Sequence, residues 1–235
     1  MTMARAVAFF DVDYTLIKAP PQHRAVLARV FTELFGVEFG PDDFRGRVEP
    51  GFTDLELFRR ALEGKGLDGS NASRRLGEIS DLVAKGLRSA LSSEGVEVLP
   101  GVRGLLPSLL GMGLELALFT GNVEKAAWVK LEVAGLGRFF SWGVFGEEGE
   151  TKMDLARLAR ERASLRHGSS SLPLFLVGDA RRDVLAGKAM GAAVVGVYTG
   201  PSSAEDLLEA GADLVVPDLA DLDLLLGFFR RGLGA

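Results

Sequence analysis

The stretch AFFDVDYTL, from Ala8 to Leu16, is an apolar run that ends abruptly in two acids placed two residues apart. In a strand, residues i and i+2 point to the same side, so Asp11 and Asp13 are expected to face one place. A parallel α/β sheet binds its ligands at the carboxyl ends of its strands, which is where this run stops. Acids also end strands as ordinary turn formers, so the pair alone leaves both interpretations open.

The composition excludes several classes of protein. The 235 residues are 47% hydrophobic and 25% charged, which is ordinary for a globular protein. There is no cysteine, so disulfides, thiolate metal sites and cysteine nucleophiles are excluded. The net charge of -5 argues against a nucleic-acid or anionic-membrane partner, and no stretch approaches the roughly 20 uncharged apolar residues of a membrane span. With no recognisable signal peptide at its start, the protein is expected to be cytoplasmic.

Short apolar runs rich in β-forming residues recur along the chain, and from the second run onward helical patterns separate them. Strands that alternate with helices and lack a clean polar alternation predict a parallel sheet covered on both faces, an α/β fold. Ser202 and Glu205 have the spacing of a capping box that opens a late helix. The predicted strands span residues 6–10, 114–119, 142–145, 172–177, 193–197 and 213–216.

One region departs from this alternation. Between Lys18 and about Gly95 the sequence shows only helical patterns, at residues 21–35, 53–62 and 72–91. The predicted architecture is therefore an α/β core, residues 1–17 and 96–235, with an all-helical module, residues 18–95, inserted after the first strand.

Two further strand ends carry polar side chains. Strand 114–119 runs into Thr120-Gly121-Asn122, which offers a hydroxyl and free main-chain N–H groups at a helix start, an arrangement that suits an anion. Strand 172–177 runs into a glycine turn followed by Asp179 and Asp183, four residues apart. Taken singly, the first motif is equally an ordinary N-cap, and the second is equally ordinary compensation of a helix dipole.

Together these strand ends deliver four acids to one edge of the sheet, and their charge must be neutralised. At a separation of about 4 Å and an effective dielectric constant of ~20, each pair of carboxylates costs on the order of 4 kcal/mol. With no histidine or cysteine nearby, an all-oxygen site favours a hard cation, and few direct carboxylates suit Mg²⁺. Lys152, next to a predicted helix start after strand 142–145, is the best-placed second cation.

In these motifs the chain resembles the haloacid dehalogenase superfamily, which carries four short motifs at successive strand ends. Asp11-Val-Asp13-Tyr-Thr15 resembles the first, Thr120-Gly-Asn the second, Lys152 the third and Gly178-Asp179-x-x-x-Asp183 the fourth. They occur in the family's order and at roughly its spacing. The resemblance implies a three-layer, Rossmann-like core with a parallel sheet, and it identifies the helical insertion with the cap that many members carry.

Two positions depart from the family pattern. Tyr14 stands where the family most often has glycine, so we expect either a differently shaped turn after Asp11 or a tyrosine that faces the cap. Lys152 is followed by Met-Asp rather than by the common proline pattern, which keeps Lys125 and Lys130 open as alternatives for the third motif.

The resemblance implies phosphoryl transfer through a covalent aspartyl phosphate. Asp11 would be the nucleophile, and Asp13 would protonate the leaving oxygen and then deprotonate the hydrolytic water. The implied Mg²⁺ ligands are the Asp11 carboxylate, the Asp13 carbonyl oxygen, Asp179 and, through water, Asp183. Because an alkoxide needs a proton to leave and a halide does not, Asp13 favours a phosphate monoester over a haloacid.

The same resemblance implies which residues bind the substrate. They come from the first two motifs and from the cap, and they are Thr15, Thr120, Gly121, Asn122 and Arg47. Lys152 would join them at the equatorial phosphoryl oxygens. The loop 47–54, RVEPGFTD, resembles the loop that reaches the site in phosphoglycolate-phosphatase-like members. Arg47 would there pair with a substrate carboxylate, although an exposed arginine is the simpler interpretation, and His23 is interpreted as a surface residue of the cap.

The sequence therefore predicts a Mg²⁺-dependent phosphatase of small phosphorylated metabolites, similar to phosphoglycolate phosphatase and acting as a monomer or homodimer. A phosphomutase of the β-phosphoglucomutase type uses the same four motifs and stays open as the alternative. A non-hydrolysing phospho-switch similar to a response regulator fits less well, since such receivers are shorter and lack a helical insertion. A dinucleotide-binding module is disfavoured because no G-x-G-x-x-G follows the first strand.

Overall fold

A six-stranded parallel sheet forms the centre of the protein in a computed structural model that describes residues 4–45, 51–91 and 95–234. Its strands are β1 (Ala6–Phe10), β2 (Leu114–Phe119), β3 (Gly143–Val144), β4 (Leu174–Gly178), β5 (Ala193–Val197) and β6 (Leu214–Val216). They lie in the order β3-β2-β1-β4-β5-β6, which places β1 in the interior between β2 and β4. The predicted α/β fold with a parallel sheet is confirmed.

Four α-helices lie in the insertion that follows β1. They are α1 (Gln22–Phe35), α2 (Asp54–Gly64), α3 (Asn71–Arg74) and α4 (Leu76–Ala90), and no strand lies among them in the described residues. We call the described residues of 18–95 the cap. Phe31 of α1 packs against Phe39, Phe44 and Phe58, with ring centroids 5.5, 4.9 and 5.2 Å away, so these aromatic rings hold the cap helices to one another.

The chain enters and leaves the cap along two segments that lie side by side. The Lys18 N–H donates to the Glu97 carbonyl oxygen at 2.9 Å, and the Leu99 N–H donates to the Leu16 carbonyl oxygen at 3.0 Å. The division of the chain into core and cap at 17/18 and 95/96 stays a prediction, and it falls beside this pair of hydrogen bonds.

Helices cover both faces of the sheet, so the core has three layers. Ala8 and Phe10 of β1 belong to the apolar cluster on one face, and Val7 and Phe9 to the cluster on the other. This two-sided burial explains why β1 is apolar throughout. The first face is covered by α5 (Val102–Gly111), α6 (Glu124–Val133) and α10 (Leu222–Gly232), and the second by α7 (Lys152–His167), α8 (Arg181–Ala189) and α9 (Ala204–Glu209). None of the helices in the described residues is long and apolar enough to cross a membrane.

Two helix starts differ from the sequence prediction. The predicted helix 72–91 is interrupted at Arg75, which separates α3 from α4. The predicted capping box at Ser202 was wrong by one residue: Ser203 caps α9, its hydroxyl accepting from the Asp206 N–H at 3.1 Å while the Asp206 carboxylate accepts from the Ser203 N–H at 2.9 Å. Ser202 is instead buried, and its hydroxyl accepts from the Arg181 N–H at 3.2 Å.

The start of α2 joins the cap to the core. The Asp54 N–H donates to the Gly121 carbonyl oxygen at 2.6 Å, and the Asp54 carboxylate accepts from the Val123 N–H at 2.8 Å. A Cβ at Gly121 would lie 2.1 Å from the Phe52 carbonyl oxygen, so only glycine permits this approach. Burial raises the pKa of the Asp54 carboxyl from 3.8 to about 7, and Lys130 and the Val123 N–H lower it without cancelling the effect of burial.

The raised pKa of Asp54 makes the stability of the protein fall as pH rises. An unfolded Asp54 loses its proton near pH 3.8 and the folded one only near pH 7, so the folded state is progressively disfavoured between those values. Asparagine keeps the acceptor for the Val123 N–H and carries no charge. We expect the advantage of Asp54→Asn over wild type to grow by about 2 kcal/mol, or about 5 °C in Tm, from about pH 5 to about pH 8. Thermal unfolding across this range measures it, and a difference in Tm independent of pH would contradict the assignment.

Candidate active site

Three buried carboxylates meet where β1 and β4 end. Asp11 follows β1, Asp179 follows β4, and Asp183 lies in the first turn of α8. One carboxylate oxygen from each lies within 4.8 Å of the other two, and the three residues are 7%, 4% and 1% exposed. They meet because β1 and β4 are parallel neighbours, so their carboxyl ends lie at the same edge of the sheet.

Lys152, the first residue of α7, contacts two of these three carboxylates. Its ammonium nitrogen lies 3.2 Å from Asp11 Oδ1 and 2.8 Å from Asp183 Oδ1, and the residue is 4% exposed. The helix start is fixed by a capping box between Thr151 and Asp154. One ammonium group against three carboxylates leaves a net negative charge in a buried place, which calls for a further cation.

The protonation of this cluster reflects the excess of negative charge. Burial raises the pKa of Asp11 to about 7, aided by Asp183 and Asp13 and opposed by Lys152. Burial, together with Asp11 and Asp183, also raises the pKa of Asp179 well above its usual value. Burial lowers the pKa of Lys152, but the combined attraction of its ammonium group to Asp11 and Asp183 is the larger effect. The pKa of Lys152 is therefore raised above its usual value. The acids therefore hold protons that a bound cation would displace.

The donor set fits a hard divalent cation. All the side-chain donors are carboxylate oxygens, which are the ligands that Mg²⁺ prefers. Two of the three acids, Asp179 and Asp183, come from the same segment after β4. Asp179 is held from two sides: the Thr15 hydroxyl donates to its Oδ1 at 3.5 Å, and Gly200 packs so closely that a Cβ there would lie 1.8 Å from its Oδ2. The Asp179 carboxylate is thus held in place by residues of the core.

A second cluster surrounds Asp13. Its Oδ2 accepts from the Lys130 ammonium group at 2.5 Å and from the Asn122 amide at 2.9 Å. The Thr120 hydroxyl, completely buried, accepts from the same Asn122 amide at 2.9 Å. Burial raises the pKa of Asp13, but Lys130 and, to a smaller degree, Asn122 lower it below its usual value overall, so Asp13 is ionised.

Tyr14 keeps the turn after Asp13 in a left-handed conformation. Its φ is 60°, and it is the one non-glycine residue with positive φ in the described parts of the chain. The Tyr14 N–H donates to the Ile17 carbonyl oxygen at 2.6 Å, and its own carbonyl oxygen accepts from the Thr199 hydroxyl. The residue therefore adopts the backbone that glycine would give at this position, and these two hydrogen bonds hold it there.

A cavity of about 970 Å³ opens over both clusters and is closed on its far side by the cap. Asp11, Asp13 and Lys152 line it from the core. Arg24 lines it from α1 and makes no hydrogen bond or ion pair with any described residue. His23 also lines it: its Nε2 is buried, and burial lowers the pKa of the ring to about 3, so the interpretation of His23 as a surface residue was wrong.

The structure brings together most of the residues that the sequence proposed. Asp11, Asp13, Asp179, Asp183, Lys152, Gly121 and Asn122 all line the cavity. Thr15 and Thr120 lie behind it, each in contact with one of those side chains. Arg47 lies outside the described residues.

The alternative lysines take other places. Lys125 pairs with Asp81 on the surface, and Lys130 contacts Asp13 rather than Asp11. Sequence reasoning missed Arg24, which carries no motif, and in the loop 47–54 it singled out Arg47 rather than Asp54. The helical pattern gives weak evidence for a role of Lys130, because this charged residue lies four positions after Ala126 and therefore on the apolar face of the helix.

Comparison with known proteins relates this arrangement to a large family. The model of the family described as haloacid dehalogenase-like hydrolase matches residues 8–197. A phosphoglycolate phosphatase of Pseudomonas syringae pv. tomato is 34% identical over 217 residues, 91% of this chain and 76% of that protein. A phosphoglycolate phosphatase of Pseudomonas putida is 34% identical over 224 residues, covering 94% of this chain and 79% of that protein.

A solved structure agrees at the level of the fold. A β-phosphoglucomutase from Clostridium difficile superposes with a TM-score of 0.69 at 17% identity, covering 99% of this chain and 98% of the other. The match to the family spans the sheet edge from Asp11 to Asp183 and the whole of the cap. The chain belongs to the haloacid dehalogenase-like hydrolase family, and it is an enzyme of the phosphoric monoester hydrolase class.

Proposed function

We propose that this enzyme is a Mg²⁺-dependent phosphatase of small phosphate monoesters that acts through an aspartyl phosphate, with phosphoglycolate-like substrates. The observation that carries the proposal is the setting of Asp11. Its carboxylate lines the cavity, has the Lys152 ammonium group at 3.2 Å, and shares a possible cation site with Asp179 and Asp183.

In the first step, a carboxylate oxygen of Asp11 bonds to phosphorus and the bond from phosphorus to the leaving oxygen breaks. Asp13 gives its proton to that oxygen, which leaves as an alcohol. In the second step, water attacks the phosphorus of the aspartyl phosphate, its proton passes to Asp13, and the bond to Asp11 breaks. Asp13 is ionised in the free enzyme, so the proton that it donates in the first step must come from solvent as the ester binds, and the proton that it gains in the second step returns to solvent as phosphate leaves.

The other residues bind and orient the phosphoryl group. Lys152 would meet its equatorial oxygens, where negative charge accumulates, together with the main-chain N–H of Gly121. The Asn122 N–H, by contrast, donates to the Thr120 hydroxyl at 3.3 Å. Asp11, Asp179, the Asp13 carbonyl oxygen and, through water, Asp183 would hold Mg²⁺. When bound, the ion supplies positive charge that screens the Asp11 carboxylate from the substrate dianion.

The proposed substrate class is supported by the relatives and by one cap residue. The curated relatives at 34% identity are phosphoglycolate phosphatases, whose substrate carries a carboxylate beyond the scissile bond. Arg24 offers that carboxylate a cation in the cavity with no ion-pair partner among the described residues. The phosphomutase alternative is supported by the shared fold with β-phosphoglucomutase. Supplying a hexose phosphate separates the two functions: a phosphatase releases inorganic phosphate, whereas a phosphomutase forms the isomeric hexose phosphate.

Asp11→Asn should abolish turnover while the fold persists. Purified enzyme with Mg²⁺ is expected to release phosphate from p-nitrophenyl phosphate and 2-phosphoglycolate, and removal of Mg²⁺ by a chelator should stop it. The amide of asparagine is a poor nucleophile, so we expect a loss of at least about 10³-fold. Asp81→Asn, which changes an exposed carboxylate, is the control. Turnover of Asp11→Asn at the wild-type rate would falsify the nucleophile assignment.

Mg²⁺ should stabilise the protein, and Asp179 should be required for it. For wild type we expect about 10 mM Mg²⁺ to raise the free energy of unfolding by about 2 kcal/mol, seen as a Tm higher by about 5 °C. Asp179→Asn should show no such shift. Because that variant removes one of three repelling carboxylates, its metal-free Tm should lie above that of wild type. A Mg²⁺ shift that persists in Asp179→Asn would place the ion elsewhere.

Arg24→Ala should affect one substrate more than another. Losing a charge-assisted contact to the substrate carboxylate is expected to raise KM for 2-phosphoglycolate by about 10-fold. p-Nitrophenyl phosphate has no second anion, so its KM should change by less than about twofold. Arg29→Ala, an exposed arginine on the same helix, is the matched control. Equal changes in KM for both esters would rule out the proposed contact.

A further inference from the structure

Lys130 is a lysine without exposed surface, on the buried face of α6. The structure describes every residue of α6, and Lys130 is the only charged one among its buried residues. Helical side chains tilt toward the N-terminus of their helix, so a long side chain at residue 130 reaches back to the sheet edge where α6 begins. Its ammonium group is thereby carried to the active site from a residue two turns inside the helix.

The Lys130 ammonium group closes a triangle with Asp13 and Asn122. Its nitrogen lies 2.5 Å from Asp13 Oδ2 and 2.6 Å from Asn122 Oδ1. The Asn122 amide N–H donates in turn to the same Asp13 Oδ2, at 2.9 Å. Asp13 Oδ2 thus accepts two hydrogen bonds, while Asp13 Oδ1 is buried and has no hydrogen-bond partner among the described residues.

Packing alone does not explain a lysine at this position. Burying an ammonium group costs free energy that an apolar side chain avoids, and buried ion pairs are often replaced by apolar residues without loss of stability. The two acceptors that Lys130 contacts both belong to side chains that line the cavity, Asp13 and Asn122. What distinguishes Lys130 from an apolar residue is therefore its effect on Asp13.

We propose that Lys130 is a positioning residue for Asp13. Its ammonium group and the Asn122 amide fix Oδ2 and, with it, the plane of the carboxylate. The carboxylate is thereby held at the wall of the cavity, where the oxygen that leaves in the first step and the water that attacks in the second would meet it. Lys130 acts only through Asp13, and the inference rests on the proposed function because it takes the acid–base role of Asp13 from that mechanism.

The leaving group separates this role from a structural one. p-Nitrophenolate leaves without a proton, so it can be released from p-nitrophenyl phosphate without help from Asp13, whereas hydrolysis of the aspartyl phosphate still requires Asp13. 2-Phosphoglycolate requires Asp13 in both steps. The test variant is Lys130→Met, which keeps an unbranched side chain and removes the charge. Lys125→Met, which changes an exposed lysine on the same helix, is the matched control.

With Mg²⁺ present, we expect stopped-flow traces of Lys130→Met to show a burst of about one nitrophenolate per enzyme, then turnover about 100-fold slower than in wild type. Phosphate release from 2-phosphoglycolate should fall by at least the same factor, with no burst of glycolate. KM for p-nitrophenyl phosphate should fall together with kcat, because only its second step is slowed, whereas KM for 2-phosphoglycolate should change little. Lys125→Met should behave as wild type. Adding Lys130→Met to Asp13→Asn should slow neither ester further, because the residue that Lys130 positions is already lost.

Several outcomes would overturn the proposal. A burst whose amplitude falls together with both turnover rates would show that Lys130 only supports the fold. Wild-type kinetics in Lys130→Met, or a further loss in the double variant, would show that Lys130 does not act through Asp13. If wild type releases no phosphate from either ester, the proposed function fails and the inference with it, whereas wild-type turnover with an unaffected Lys130→Met removes the inference alone.

Thermal unfolding keeps the coupling testable if Lys130→Met is too unstable to assay. Each single change, Asp13→Asn or Lys130→Met, leaves its buried partner without a counter-ion, whereas the double variant removes both charges. We expect the Tm of the double variant to exceed that of Lys130→Met by roughly 3 °C or more. A double variant no more stable than Lys130→Met would contradict a direct Lys130–Asp13 interaction.

Discussion

Repulsion between buried carboxylates at one edge of the sheet is the constraint on which the site depends. Parallel strands end at a common edge, so the acids that follow β1 and β4 meet whether or not their charges are compatible. Asp11, Asp179 and Asp183 lie within 4.8 Å of one another because the Lys152 ammonium group contacts two of them and because the pKa values of Asp11 and Asp179 are raised. The same excess of negative charge would favour a divalent cation at this place.

Two buried lysines neutralise different carboxylates of the site. Lys152 pairs with Asp11 and Asp183, and Lys130 pairs with Asp13. They come from α7 and α6, which cover opposite faces of the sheet. The two ammonium groups therefore contact different carboxylates. The pKa of Asp11 is raised and that of Asp13 is lowered, although the two residues are only two positions apart in the chain.

Much of this could be predicted from the sequence, because strand ends are local features. The apolar run that ends at Asp11, and the glycine turn before Asp179, identify the edge without any knowledge of packing. The place of Lys130 could not be predicted, since it depends on which face of α6 the cap and sheet bury. Asp54 was missed for a similar reason: its partner, the Val123 N–H, is a main-chain group of a distant loop. The capping box was placed one residue early because Ser202 and Ser203 both have an acid three residues on, and only packing against Arg181 decides between them.

The paired segments at Leu16–Lys18 and Glu97–Leu99 have a consequence for the evolution of the fold. They hold the two ends of the insertion side by side through main-chain hydrogen bonds, so the distance from β1 to α5 does not depend on the length of chain between them. A longer or shorter cap can be accommodated at the same two points, provided that it keeps the contact of Asp54 with Gly121 and Val123. The cavity wall that the cap supplies can thus change as a single unit, while the carboxylates at the sheet edge stay in place.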